Sequence, residues 1–404
     1  MGLLGKRSTY SLLLFFLGVL APGARLQAQG CMPATPQPLP LALGFEPAGE
    51  YSLIQEEDGA RLGVGGSNDP TGTVGSSGDA LAVPRTARDL QLLESKSWSF
   101  AAALRYFKSG DSYVGSEQVG KNFAVGEYPS LNLSGTYAFD PRWSLSVALP
   151  LVNPRDTFPH PDGERHTTGP GLSIGDLRAV GSYWAFDPTR PRRGNVVFGF
   201  GIKAPTGNYD VTDAWHTPDG PIEEPADLAV QPGDGGWGII FATQAFRALA
   251  HGAYAYIDGF YLVNPRETNG TVTATVKALV GEPIPLSVPD YYQARAGFGY
   301  MAWPKQGISL SLGMRIDGIP TEDLIGGSEG FRRPGYTLAL EPGISVNWGD
   351  HTISLFTPVA IQRSQKQSLP EERLGLNLGG SMSAEAFLFS YSRRLGKPAG
   401  AKSD

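Results

Sequence analysis

One cysteine, Cys31, stands in 404 residues. An intrachain disulfide is therefore excluded, and so are metal sites built from two or four thiolates. Charge is scarce at 18 %, with 33 Lys+Arg against 39 Asp+Glu. This acidic balance argues against nucleic acid, whose phosphates require a clustered positive surface. Mean hydropathy is −0.16, which excludes a bundle of membrane-crossing helices. Helical periodicity is nearly absent, and the best stretch, Thr86 to Lys96, is short. Gly 53 and Pro 33 make about 21 % of the chain, below the roughly 25–30 % of low-complexity sequences. Aromatics reach 10 %, which a disordered chain lacks.

The first residues read as an address. Lys6 and Arg7 precede an apolar run from Tyr10 to Leu20, which Pro22 and Gly23 break, and Ala28 offers a small residue for cleavage. Residues 1–28 are expected to be a secretory signal peptide, too short to span a membrane. Cys31, after Ala28-Gln29-Gly30, faintly resembles a lipoprotein box, but Leu is missing three places before it. Cleavage removes Lys6, Arg7 and Arg25 and no acid, so the mature charge is 30 − 39 = −9. Residues 29–96, rich in Pro, Gly, Ser and acid, are expected to be a tail or a plug. Residues 396–404 form a short C-terminal tail.

From 97 to 395 the chain reads in period two. Trp98, Phe100, Ala102, Leu104 and Tyr106 alternate with Ser97, Ser99, Ala101, Ala103 and Arg105. Ile308, Leu310, Leu312, Met314 and Ile316 alternate with Ser309, Ser311, Gly313, Arg315 and Asp317. Such alternation puts two sets of side chains on opposite faces of a strand. Twelve strands are expected, near 97–107, 130–139, 143–150, 175–186, 195–205, 236–249, 252–263, 290–303, 307–317, 335–348, 351–363 and 382–395. Facing is ambiguous in the sixth, where Phe241 and Phe246 fall on opposite sides. Odd strands lead into long loops and even strands into short turns such as Asp140-Pro141-Arg142 and Gly349-Asp350.

Long–short alternation with an even strand count is the layout of an all-β, closed antiparallel up-and-down transmembrane barrel, with short periplasmic turns and long extracellular loops. Lipid cannot hydrogen-bond a bare strand edge, so the sheet closes. Aromatics at strand ends (Trp98, Tyr106, Tyr137, Phe139, Trp143, Trp303, Tyr336, Trp348) fit the interfacial girdles. A secreted β-sandwich, the alternative, does not explain exposed aromatics on most strand ends. The expected location is the bacterial outer membrane, with its lipid and lipopolysaccharide as partners.

Four blocks carry a family resemblance: Gly175-Asp176-Leu177, Lys203-Ala204-Pro205-Thr206-Gly207, Gln231-Pro232-Gly233-Asp234-Gly235-Gly236-Trp237-Gly238, and Gly326 through Tyr336. They resemble a group of outer-membrane barrels assigned as transporters of the phenol meta-pathway type. That resemblance implies passive transport. One departure is the end of the chain: such barrels usually finish on an aromatic residue, whereas here Leu395 ends the last strand and nine residues follow.

By parity, Arg105, Asp176, Arg178, Lys203, Arg295, Arg315, Asp317 and Glu341 point into the lumen, where charges in a membrane barrel belong. They line a pore with a mild anion preference, or they form a structural network of ion pairs. Twelve strands lie between eight, which side chains fill, and sixteen, which leave a channel. Loop candidates are Arg155 and Arg266, at corresponding places in the repeat Leu151-Val152-Asn153-Pro154-Arg155-Asp156-Thr157 and Leu262-Val263-Asn264-Pro265-Arg266-Glu267-Thr268, together with Asp234, Arg332 and Arg333. The repeat reads as a shared loop-opening turn or an ancestral duplication. Arg332 and Arg333 could meet lipopolysaccharide phosphates or clamp a loop acid such as Glu329.

An enzyme is not expected, because none of the five histidines sits mid-strand beside a serine. The loop from His160 to His166, and Asp210, Asp213 and His216, offer metal-ligand types but read as solvated loops; no metal and no cofactor are expected. The functional expectation is an outer-membrane channel or facilitator for small, hydrophobic or aromatic, solutes. A closed structural or surface-interaction barrel is the alternative.

Overall fold

In the computed structural model, residues 96–188, 193–249 and 252–395 are described. The expected signal peptide 1–28, Cys31, the rest of the segment before Lys96 and residues 396–404 lie outside them. In chain order the strands are β1 (Ser97–Val114), β2 (Glu117–Glu127), β3 (Ser130–Ala138), β4 (Trp143–Val152), β5 (Arg155–Pro159), β6 (Arg165–Thr168), β7 (Ser173–Ile174), β8 (Leu177–Trp184), β9 (Gly194–Ala204), β10 (Thr212–Thr217), β11 (Gly220–Pro225), β12 (Gly238–Ala248), β13 (Ala253–Val263), β14 (Tyr291–Trp303), β15 (Ile308–Ile319), β16 (Gly335–Trp348), β17 (His351–Phe356), β18 (Val359–Gln365) and β19 (Gly380–Leu395).

Twelve staves close a barrel in which every neighbour is antiparallel. The order is β1, β3, β4, β8, β9, β12, β13, β14, β15, β16, then β17 continued by β18, then β19, which returns to β1. The closing seam runs from Trp98↔Leu395 to Tyr113↔Gly380. No edge is left for lipid to meet, which is the condition for a sheet to span a bilayer.

Burial follows the alternation. Phe198, Phe200 and Ile202 of β9 are exposed on the outer face, while Val197 and Lys203 are buried on the inner one. The ambiguous strand resolves by the same test: Phe241 faces out and Phe246 turns inward, where its ring meets Trp184 edge-on at 6.3 Å. Short turns are pinned by their own side chains. Asp140 accepts the backbone N–H groups of Arg142 at 2.7 Å and Trp143 at 3.0 Å, an Asx turn.

Three departures have physical causes. β1 runs on past residue 107 and pairs with β2, so 108–129 is a hairpin above the membrane band rather than a loop. Irregularities at Lys108/Ser109 and Ser109/Asp111 mark where the inner–outer alternation ends. The eleventh stave is interrupted at Thr357-Pro358, because Pro358 has no N–H for the ladder. Finally, the long loops are folded. They carry the hairpin β10–β11 and the helices Ala274–Val280 and Leu369–Arg373, and together they share a core of Leu228, Val276, Ile284, Leu286 and Phe331, against which Val280, Leu374 and Leu378 pack. Thr273 caps the first helix by accepting the Val276 N–H at 3.2 Å, and Gly281 ends it at φ 79°, a left-handed position that suits glycine. A second cluster, Phe107, Tyr128 and Ala229, ties this cap to the barrel rim.

Candidate functional site: the lumen and its cap

The inner face carries the charges. Arg105, Asp176, Arg178, Lys203, Arg315, Asp317 and Glu341 are all buried, and Arg295 stands among them half-buried. Two clusters organise them. The first crosses four adjacent staves, β13 to β16. Arg295 contacts Asp258 at 2.6 Å and Glu341 at 3.3 Å. Arg315 contacts Glu341 at 3.2 Å and Asp317 at 2.8 Å, and donates to Gln293 at 2.6 Å. Glu341 thus bridges two guanidinium groups with no solvent exposure of its own. The second cluster lies at the rim, where Lys203 bonds to Asp234 of the loop and lies 3.7 Å from Asp176. Asp176 also accepts the Gly207 N–H at 3.0 Å. This cluster draws the loop 206–235 down over the mouth.

Between the clusters the lumen is apolar. Ala148, Val180, Ile240, Leu262, Tyr291 and Ile319, from six different staves, form one buried cluster. Two cavities flank it, and Ile319 lines both. One, with about 780 Å³ of empty space partly continuous with solvent, is lined by Arg105, Phe107, Arg315, Asp317, Met382 and Leu388 among others. The other is lined by Asp176, Arg178, Lys203 and Tyr291 together with cap residues such as Leu228 and Leu286. Nearer the short-turn end, Tyr254 and Tyr256 lie over Gly297 and Gly299 of the adjoining β14 and Gly313 of β15. A Cβ at Gly299 would come within 2.0 Å of the Tyr254 ring.

Parity alone assigned the lumen charges to a face but not to partners. Asp258, Gln293 and Tyr291 were missed. In β13 the alternation is masked, since Tyr254 and Tyr256 point in while Ile257 and Tyr261 sit on the other parity. Asp258 on β13 and Asp234 of the loop pair with Arg295 and Lys203, two acids that the count of five bases to three acids left out.

The loop candidates take varied places. Arg155 is exposed on β5. Arg266 donates to the carbonyls of Gly235 at 2.6 Å, Thr268 at 2.7 Å and Asn269 at 3.1 Å, so it splices two loops together. Both Asn-Pro turns anchor on the residue just before a neighbouring strand: the Asn153 N–H donates to the Pro129 carbonyl at 3.1 Å, and the Asn264 N–H to the Asp290 carboxylate at 2.7 Å. Arg332 is fully buried in a two-bonded pair with Asp323, at 2.6 and 2.5 Å. Glu329 pairs with Arg373 instead, at 2.5 Å. Arg333 is buried over the Phe331 ring and donates to the Gly379 carbonyl at 3.1 Å. Two cap carboxyls face its charge. Asp156 is completely buried, and burial followed by the like charge of Asp227 holds it well above the usual carboxylate range, against the pull of Arg333. Burial likewise raises Asp227.

No protein-family model matches the chain, and no curated protein matches it in sequence. Solved structures do resemble it. An outer-membrane channel from Pseudomonas putida F1 superposes with a TM-score of 0.51 at 14 % identity, over 80 % of this chain and 100 % of that one. A monoaromatic hydrocarbon channel, CymD, reaches 0.39 at 10 % identity, over 77 % of this chain and 92 % of that one. The first of these likenesses establishes the fold, that of an outer-membrane β-barrel.

Proposed function

We propose that this chain is an outer-membrane channel or facilitator for passive movement of small solutes with a hydrophobic or aromatic part. The observation that carries the proposal is the pair of cavities beneath the cap, each walled by ion-paired side chains on one side and by Phe107, Leu388, Leu286 or Tyr291 on another. A mixed lining of this kind suits an apolar solute with a polar handle. Passage requires the cluster around Tyr291 to move, so the lumen is a gated path and not an open water column. The fold shared with the Pseudomonas putida channel supports the setting, and the block resemblance noted in the sequence supports the transport class.

The closed structural barrel is the second reading. It is favoured by the ion-pair ladder from Asp258 to Asp317, which holds the wall together without a solute. The test is conductance in a planar bilayer, combined with uptake of small aromatic solutes into vesicles carrying the folded protein. Solute-dependent flux supports the facilitator. An inserted, heat-resistant barrel with neither conductance nor flux overturns it in favour of the structural reading.

A further inference from the structure

Two loop hairpins meet above the mouth and bring together histidines that are remote in sequence. The turn joining β5 to β6 carries His160 and Asp162, β6 carries His166, and β10 carries Trp215 and His216. The hairpins are already docked. His160 Nδ1 accepts the His216 backbone N–H at 3.1 Å, the His160 ring lies 4.8 Å from Trp215, and Asp213 accepts the Gly169 N–H at 2.9 Å. Three imidazoles result from this packing. His166 and His216 stack in parallel 3.6 Å apart, with His160 at 5.0 Å from one and 5.4 Å from the other. Asp162 shares a 2.7 Å hydrogen bond with His166 Nε2. One ligand atom each from Asp162, His166 and His216 lies within 4.8 Å of the others.

We propose that Asp162, His166 and His216 bind a divalent transition-metal ion of the zinc type and thereby staple the β5–β6 hairpin to the β10–β11 hairpin. Two imidazoles and one carboxylate are the donor set of borderline ions such as zinc, cobalt and nickel. Calcium is a poor fit because it takes six to eight oxygens. Bonds of about 2.0–2.2 Å in tetrahedral geometry put ligand atoms roughly 3.4 Å apart, so the widest spacing, up to 4.8 Å, must contract and the 2.7 Å Asp162–His166 contact must open. The parallel rings must also turn, since stacked lone pairs do not converge on one point. Both movements are open to these side chains, which are only partly buried.

His160 supports the arrangement from behind. Its Nε2 is buried without a hydrogen-bond partner, while its Nδ1 is engaged by the His216 backbone N–H. The backbone N–H of Glu164 donates to Asp162 Oδ1 at 2.9 Å, which fixes the carboxyl while its other oxygen meets His166. The site stands apart from the lumen and does not depend on the transport reading.

The experiment uses the mature full chain, folded in detergent and stripped with chelator. Zinc is titrated against a chromophoric competitor, and cobalt by its visible d–d bands. One equivalent of either ion per chain is expected, with His166→Gln and His216→Ala each weakening it by at least about 100-fold. Heat-modifiable migration of each variant confirms that the barrel is folded, and His351→Gln at the opposite end serves as a control that keeps full binding. Zinc should also slow proteolysis between His160 and His166. Binding weaker than about 1 mM in the unaltered chain, or binding that survives His216→Ala, overturns the proposal.

Discussion

Asp258 and Arg295 are directly opposed on the β13–β14 pair, with the guanidinium 2.6 Å from the carboxylate. Neither is at the apolar outer face, and Arg295 also reaches Glu341. Removing one partner therefore leaves charge in a poorly solvated lumen. Asp258→Asn is expected to cost about 2–3 kcal/mol, seen as a lower temperature for loss of the heat-modifiable form. Pairing it with Arg295→Gln should recover part of that loss. If the single variant is as heat-resistant as the parent, the ladder is not what holds this wall.

Tyr291 closes the apolar cluster between the two cavities. Tyr291→Ala deletes a buried ring, with an expected stability cost of about 3–5 kcal/mol, and opens the narrowest part of the path. Conductance or solute flux should rise at least twofold relative to the parent, measured in the same bilayers. Flux unchanged in a folded variant would remove Tyr291 from the path.

A third expectation concerns pH. The folded cap holds Asp156 well above its ordinary value, so the folded state binds protons more tightly than the unfolded one. The stabilising contribution is present at acid pH and is lost as pH rises through the raised folded value. Asp156→Asn mimics the protonated form. At about pH 8 it should stabilise the cap by about 1–3 kcal/mol, read as slower proteolysis of the outer loops, and the gap from the parent should close as pH falls. His160 works in the other direction: its folded value is depressed to about 4, so its contribution is lost as pH falls from its unfolded value through about 4. Comparing parent and variant at each pH cancels that common effect.

The glycines of β14 have a steric role open to test. Gly299→Ala places a methyl against the Tyr254 ring and should cost about 1–3 kcal/mol. Tyr254→Ser in the same chain should relieve the clash, and heat resistance of the double variant should exceed that of Gly299→Ala alone.

The barrel was legible because lipid imposes one simple rule on every stave. Alternation of the kind in Ile308 to Asp317 follows from apolar matter outside and polar matter within, and it needs no partner to be recognised. The cap obeys no such rule. Leu228, Val276, Ile284 and Phe331 come from separate loops, and each is an isolated apolar residue among Gly and Pro until the loops fold. Pairing has the same character. Arg332 was visible as a loop cation, but Asp323 as its partner, and Arg373 as the partner of Glu329, depend on how the loops cross. The meeting of His166 and His216 is likewise a product of two hairpins docking, with no spacing in sequence to announce it.

The seam between β1 and β19 sets a condition on assembly. Trp98 and Leu395, at the two ends of the described barrel, are ladder partners across the seam, so the cylinder cannot be sealed until the last stave has been delivered. Contacts of such separation carry a large closure entropy and form late. A chain ending before Gly380 would have eleven staves and two bare edges, a state that a bilayer does not accommodate. Damage near the end of the gene is therefore expected to abolish the protein outright, whereas a cut in the cap would leave a closed ring in place.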